Sequence, residues 1–191
     1  FEPLRFSMQT HLYGGQLQDV LAETGQASAD ASGICDAMVT LQGSPLNPQT
    51  FSGTGEVSIR EASLFQLPGM MKLLRVLSVK PTNDAAFEKA DISFRIDGDR
   101  LPIDHLSIDG DVLSLAGSGW ANLRREMHLD LYAYVGNRNQ LAKLVGPLLS
   151  ETRYAPLMQV EIDGTVEAPE MTRKPLPVIE DALKTYFPER Y

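Results

Sequence analysis

Apolar and polar residues alternate with a period of two through most of this chain. The pattern is clearest at residues 92–96 and 127–135, where every second side chain is apolar. Successive side chains of a strand point to opposite faces of a sheet, so the alternation predicts strands that carry one apolar face. The same pattern predicts further strands in five other stretches: residues 4–12, 34–41, 57–59, 113–115 and 158–166.

Glycine and proline mark the places where these strands are expected to stop. Gly14 and Gly15 predict a turn, after which Leu17 and Leu21 follow at strand spacing. Residues 43–52 contain two prolines and an asparagine, so they are predicted to form a loop. This loop is the one candidate for a domain break.

An Asp-Gly pair follows an alternating run at three places. Asp-Gly favours tight hairpin turns because glycine adopts the positive φ that such turns require. The strands are therefore predicted to follow one another as an antiparallel meander. The three pairs are at residues 97–98, 109–110 and 163–164.

The apolar positions shift by one residue between Ile103 and Leu106. A shift of one residue would turn every following side chain to the other face of the sheet. We therefore predict a bulge or a bend near Asp104 and His105.

Three segments have helical spacing: residues 62–78, 139–149 and the tail after residue 177. In the first, Lys72 and Arg75 form a narrow polar stripe beside an apolar side. This helix could lie on a membrane surface with its two cations at the lipid headgroups, or it could cover the apolar face of the sheet. Its apolar side consists of Leu67, Met70, Met71, Leu74 and Leu77.

Composition and charge exclude several classes of function. The 191 residues are 43% apolar, and the formal net charge of -8 leaves no basic stripe for a nucleic-acid backbone. The single cysteine, Cys35, excludes an internal disulfide framework and is interpreted as a small buried hydrophobe. The apolar run at residues 64–79 contains charged residues and a proline, so it does not predict an ordinary transmembrane helix.

Residues that could carry chemistry are few and scattered. His11, His105 and His128 show no zinc-ligand spacing, and the Asp-Gly elements lack the spacing of an EF-hand. Asp104, His105 and Ser107 have the residue types of a hydrolytic triad, but no paired base and orienting group accompany them. We expect no enzymatic activity, no metal site and no cofactor.

The order of the elements resembles that of a known family. A glycine-rich strand at residues 53–57 leads into the apolar helical segment with Leu67-Pro68-Gly69, and Phe87 precedes the strand at residues 90–96. The later elements, in chain order, are residues 106–108, 113–119, 127–131 and 162–166, before Ala168-Pro169. Over residues 53–169 this order resembles the C-terminal region of the AsmA family, which includes TamB-like proteins.

The resemblance implies the periplasmic portion of a Gram-negative envelope protein that is anchored in the inner membrane by an N-terminal helix. It also implies a long, curved sheet with an apolar groove for phospholipid acyl chains, used in inter-membrane lipid transport or outer-membrane assembly. Since the chain opens at Phe1 without a starting Met, we expect a piece of a longer protein whose membrane anchor lies outside it.

We therefore expect one mostly β (α+β) region over residues 1–191. It should be a curved antiparallel meander with two or three helices packed on one face or edge. Residues 1–52 would be leading strands, residues 53–169 the part that resembles the family, and residues 170–191 a C-terminal helix.

Eight apolar residues are predicted to form the lipid groove: Ile92, Phe94, Ile96, Leu113, Leu115, Leu129, Leu131 and Val135. An acyl chain gains about 0.8 kcal/mol for each methylene removed from water, so it needs a continuous apolar surface. The expected partners are phospholipid or another lipid, and other envelope proteins. In the alternative interpretation, the same residues form the closed core of a structural module that interacts through exposed strand edges.

Overall fold

Alternating segments joined by short turns pair most readily with their neighbours along the chain. The structure, a computed structural model, describes residues 4–23, 32–62, 72–73, 75–77, 87–110, 113–135, 158–166 and 168–174. Strands make up 75% of these residues and form one open, antiparallel sheet of nine strands. Their order across the sheet follows their order along the chain, which confirms the predicted meander.

The sheet has two outer strands, β1 and β9, and one short helix, α1, follows β1 directly. The elements are β1 (Phe6–Gln16), α1 (Leu17–Glu23), β2 (Ile34–Ser44), β3 (Asn47–Arg60), β4 (Lys89–Asp97), β5 (Arg100–Asp109), β6 (Leu113–Asn122), β7 (Glu126–Val135), β8 (Met158–Thr165) and β9 (Pro169–Lys174).

The expectation of two or three packed helices is wrong for the part of the chain described here, where α1 is the one complete helix. Leu17 and Leu21 were interpreted above as strand positions, but a spacing of four residues also defines one face of a helix. Leu17 is buried, and Leu21 packs against the core. The expected helices over residues 139–149 and after residue 177 lie outside the described residues.

Two segments that were predicted to interrupt the strands, the turn at Gly14 and Gly15 and the loop at residues 43–52, lie largely within strands. β1 continues through Gly14 and Gly15, where a shift in its register against β2 takes the place of the predicted turn. The predicted loop at residues 43–52 contains only the tight turn at Pro45 and Leu46, which joins β2 to β3. Proline presets the φ that the second residue of such a turn requires, so a two-residue connection suffices.

The three Asp-Gly pairs do not behave alike. Asp97 pairs with Arg100 across a tight turn in which Gly98 has a φ of 62°, as predicted. The backbone N–H of Gly110 donates to the carbonyl of Leu113 and closes the connection from β5 to β6. The third prediction is wrong, because Gly164 lies inside β8 and pairs with both neighbouring strands.

The predicted bulge in β5 is confirmed. On β4, Phe94 pairs with Ile103 and Ser93 pairs with His105, which leaves Asp104 as the extra residue. Three hydrogen bonds from the Arg95 guanidinium to the Asp104 carboxylate, of 2.9 to 3.1 Å, hold this residue. Because of this extra residue, the apolar side chains before and after the bulge project to the same face of the sheet.

The core lies on one face of the sheet. Leu115, Ala133 and Val160, from three successive strands, have no solvent exposure. Phe87 and Leu73, from outside the strands, are buried in the same cluster. Cys35 is 3% exposed, which agrees with its interpretation as a small buried hydrophobe. This burial raises the pKa of the Cys35 thiol.

Glycine allows β6 and β7 to approach each other closely. A Cβ atom added to Gly117 would collide with the backbone carbonyl oxygen of Asp130, and one added to Gly119 would collide with that of His128. Backbone atoms cannot move aside as the end of a flexible side chain can, so a larger residue would push the two strands apart.

We predict that Gly117→Ala lowers the free energy of unfolding by about 1–3 kcal/mol, the usual cost of forcing an extra group into a packed site. Chemical denaturation measures this change. Ser118→Ala is the matched control, because Ser118 is exposed on the other face of the same strand and should change stability by less than about 0.5 kcal/mol. Equal effects of the two variants would contradict the close approach of β6 and β7.

Candidate functional site

The strand register separates the side chains into an apolar face and a polar face. Directly paired residues of an antiparallel sheet project to the same side. Following the pairs from Val39 on β2 leads through Gly55, Phe94, Ile103 and Gly119 to Leu129 on β7. All six are apolar residues, whereas their neighbours along each strand belong to the other, polar face.

The apolar face is divided into a covered half and an open half. The covered half shares a core cluster with Leu73 and Phe87 from outside the strands and consists of the buried residues Ala90, Leu106, Leu113, Leu115, Leu131, Ala133 and Val160. Cys35 on β2 is also buried on this face. Toward the opposite strand ends lies the open half, consisting of Val39, Leu41, Phe94, Ile96, Leu101, Ile103, Met127 and Leu129. Every residue of the open half is only partly buried.

The predicted groove residues are distributed over both halves. Phe94, Ile96 and Leu129 belong to the open half, and Ile92 is half-buried beside it. The remaining three described side chains are in the covered half: Leu113, Leu115 and Leu131, with exposed fractions of 5%, 0% and 2%. Val135 pairs with Leu113 in the backbone register, and its side chain lies outside the described part.

A strip without large side chains runs along β6. Gly117, Gly119 and Ala121 are its three residues on the apolar face, and we call them the glycine strip. Ile103 of β5 and Leu129 of β7 border it, since both pair with Gly119. Two strand spacings give a width of about 9.6 Å, and four residue steps give a length of about 13 Å.

Phe94 extends the apolar surface toward the first strands. A Cβ atom on Gly55 would overlap the Phe94 ring, so the ring lies directly on the backbone of β3. Gly55 is buried by this contact. The open half is therefore continuous from β2 to β7.

The polar face carries a charged cluster around His128, which we call the His128 cluster. The Nδ1 atom of His128 lies 2.7 Å from Asp163, directly opposite on β8, and its Nε2 atom lies 3.3 Å from Asp130. Gln159 donates a 2.8 Å hydrogen bond to Asp130. The Trp120 ring stacks beside the imidazole with 6.5 Å between ring centroids.

The hydrogen bond to Asp163, supported by the negative charges of Asp163 and Asp130, raises the pKa of His128 above its ordinary value. Partial burial of the ring acts in the opposite direction and is outweighed. Folding therefore shifts His128 toward the imidazolium form, whose charge is opposite to that of the neighbouring carboxylates on β7 and β8.

His128, Glu161 and Asp163 also bring three ligand atoms within 4.8 Å of one another, which is close enough to hold a metal ion. Lys174 forms an ion pair with Glu161, and His128 uses Nδ1 for Asp163. A metal ion would have to displace both contacts, so charge pairing across the strands accounts for this cluster. The alternating pattern of the sequence predicts that these residues lie on the polar face. Their contact with one another follows only from the register of β7 against β8.

A shallow depression of about 330 Å³ lies elsewhere, on the polar side of β1 to β5. Two of its three carboxylates are paired: Asp36 contacts Arg60 at 2.8 Å, and Asp91 accepts a 2.7 Å hydrogen bond from Ser58, while Glu56 is the third. Burial alone would raise the pKa of Asp91, but its hydrogen bonds with Lys89 and Ser58 lower it. These pairs join neighbouring strands.

The residues of the hydrolytic alternative are placed differently from a triad. Asp104 directs both carboxylate oxygens to Arg95. His105 pairs with Ser93 on β4, and Ser107 is 5% exposed opposite Asp91. Asp104 is thus engaged by an arginine rather than by the histidine that a triad would require.

The described part of the membrane-surface candidate faces the sheet. Leu73 and Leu77 are buried at 2% and 5% exposure, whereas Lys72 and Arg75 are exposed, an arrangement that favours a cover for the apolar face. Lys72 also donates to the carbonyl of Pro169. The other candidate residues lie outside the described part: Leu67, Met70, Met71 and Leu74.

Within the described residues, no helix has the length and apolar character needed to span a membrane. No protein-family model, curated protein or solved structure matches the chain. The protein is therefore described by its fold alone: the described residues form an open antiparallel meander with one apolar face and one polar face.

We predict a pH dependence of stability from His128. Because its pKa is raised on folding, its contribution is fully present below the unfolded value of about 6.5 and is lost as the pH rises through the folded value. The loss should be under about 1 kcal/mol, since the pair with Asp163 is partly exposed. Denaturation at several pH values should show this decline in the wild type and not in His128→Gln.

The cause of the shift can be tested by titrating the His128 ring with NMR. Asp163→Asn should lower the pKa of His128, because it removes the charged hydrogen-bond partner. Glu170→Gln is the matched control, since it removes a carboxylate from the next strand, directly opposite Asp163. A pKa that is unchanged in Asp163→Asn would contradict the assignment.

Proposed function

We propose that this chain is a non-enzymatic, lipid-handling segment of a bacterial cell-envelope protein, and that the open half binds phospholipid acyl chains. The observation that carries the proposal is the open half itself, where eight apolar side chains from four of the six adjacent strands β2 to β7 are only partly buried. Contiguous apolar surface of this kind marks a binding site for an apolar partner, because its exposure to water is unfavourable.

The dimensions of the glycine strip suit a hydrocarbon chain. The strip is about 13 Å long, and the acyl chains of one leaflet span about 15 Å, half of a 30 Å hydrocarbon core. Ile103 and Leu129 would contact the chain from both sides. At about 0.8 kcal/mol per methylene, ten buried methylenes would contribute roughly 8 kcal/mol before the cost of ordering the lipid.

The two halves of the apolar face would have separate roles. The covered half contains the fully buried Leu115 and Val160 and stabilises the sheet. Ile103, Met127 and Leu129 of the open half also pack against this core, and the remaining surface of the open half can be available to a ligand. The exposed part of the polar face, with paired charges such as Arg95 and Asp104, would remain in water while the open half holds lipid.

The cellular setting of the proposal rests on the resemblance to the AsmA family. In that setting the chain is a periplasmic portion of a protein anchored in the inner membrane through parts outside this chain. Its task would be inter-membrane lipid transport or outer-membrane assembly. Phospholipid is the proposed ligand, and other envelope proteins are proposed partners.

The second candidate function is a structural module with a closed core. The burial of Leu113, Leu115 and Leu131, three of the predicted groove residues, favours it. In this function the open half would contact protein, and no lipid would bind.

We predict that protein purified from bacterial cells without harsh detergent carries phospholipid detectable by native mass spectrometry. Leu129→Asp should reduce the bound lipid at least ten-fold, because a carboxylate beside the glycine strip is costly to remove from water. Binding of labelled phospholipid to delipidated protein provides the quantitative measurement, and circular dichroism establishes that the variant is folded.

Thr54→Asp is the matched control. It introduces the same charge on the polar face, where Thr54 is exposed and lies opposite Arg95. This variant should bind lipid as the wild type does. The proposal fails if the wild type binds no phospholipid when it is offered, or if Leu129→Asp remains folded and binds lipid fully.

A further inference from the structure

The outer edge of β1 has no charged residue and no proline. Its eleven residues, FSMQTHLYGGQ, include no Asp, Glu, Lys, Arg or Pro. Exposed edge strands are normally protected by charge, by proline or by short length, since their free N–H and C=O groups otherwise pair with another strand. β1 is long and carries neither charge nor proline, and its one irregularity against β2 lies after Leu12.

Exposed apolar side chains are also concentrated at this edge. Met8, Leu12 and Tyr13 on β1 are 47%, 36% and 78% exposed, and Leu4 just before it is 67% exposed. Nine of the eleven β1 residues are exposed. Met8 and Leu12 lie on the apolar face, paired with Leu41 and Ala37, so that face continues to the edge of the sheet.

The opposite edge is protected. β9 is six residues long, begins with Pro169 and carries Glu170, Arg173 and Lys174. The two outer strands of the described sheet therefore differ in kind, and only β1 is suited to accept another strand.

We propose that β1 pairs antiparallel with β1 of a second copy of this chain, about a two-fold axis perpendicular to the sheet. Such an axis leaves both apolar faces on the same side, so the sheets would join into one sheet with a continuous apolar face. This inference goes beyond the proposed function and does not depend on lipid binding.

The sequence of β1 is complementary to itself in this arrangement. When Met8 lies opposite Leu12 of the second copy, Thr10 lies opposite Thr10, and apolar residues meet apolar residues on one face. On the other face Gln9 meets His11, and no like charges oppose each other. The register shift after Leu12 ends the regular part of the strand, so the regular pairing covers Met8–Leu12 of each copy.

The described sheet has one unprotected edge, β1, and this determines the size of the assembly. An interface in which the same surface of both copies meets is closed once two chains have joined. Since β9 is protected, the described part of the joined sheet offers no further unprotected edge for growth. We therefore expect a dimer rather than a filament.

Analytical ultracentrifugation of the lipid-free chain tests the proposal. The wild type should show a concentration-dependent equilibrium between monomer and dimer. Thr10→Lys should weaken dimerisation about five-fold, because two like charges would oppose each other at the axis. Thr172→Lys, the same substitution at an exposed position on the other edge, should leave dimerisation unchanged. Circular dichroism should show both variants folded.

A charge-swap experiment separates self-pairing from other contacts. Thr10→Glu alone should also weaken dimerisation, whereas an equimolar mixture of Thr10→Lys and Thr10→Glu should restore it, since lysine then faces glutamate. A wild type that stays monomeric at all concentrations overturns the proposal. So does a dimer that the Thr10 variants do not affect, or a mixture that shows no restoration.

Discussion

The agreement between side-chain alternation and strand register keeps one face of this sheet apolar from β1 to β8, and the rest of the structure depends on it. A slip of one residue in any strand would send apolar side chains into water and polar ones into the core. β5 contains such a slip in its sequence, and the extra residue at Asp104 absorbs it. The contact between Arg95 and Asp104 spans this point from the neighbouring strand.

The same constraint explains how the two faces acquire different roles. The apolar face can be covered by other segments of the chain or by a ligand. Other segments cover the covered half, and a lipid is the proposed cover of the open half. Where Leu73 and Phe87 lie over the sheet, apolar residues are removed from water and stabilise the fold. Where the glycine strip lies, the bordering side chains Ile103 of β5 and Leu129 of β7 are only partly buried instead. On the polar face, pairs such as His128 with Asp163 join successive strands through charge.

Much of the fold could be predicted from the sequence, because alternation, the Asp-Gly pairs at residues 97–98 and 109–110 and the shift near Asp104 are local signals. The extent of cover could not be predicted. Leu115 and Leu129 occupy equivalent positions in equally alternating strands, yet Leu115 is fully buried and Leu129 is partly exposed. The difference depends on which distant segments lie over each residue. The sequence did not predict the tight turn at Pro45, because the same residue types form both loops and hairpin turns. It did not predict α1, because the spacing of Leu17 and Leu21 fits both a strand and a helix.

The central claim is that the open half binds acyl chains while the covered half is closed, and one NMR measurement tests it most directly. Methyl-labelled protein is mixed with a phospholipid that carries a nitroxide on its acyl chain, which broadens signals from nearby methyl groups. The account predicts broadening at Ile96, Ile103 and Leu129, with the signals of Leu113 and Leu115 remaining sharp. Broadening centred instead on exposed residues such as Leu46 and Leu123, or no broadening at all, would contradict it.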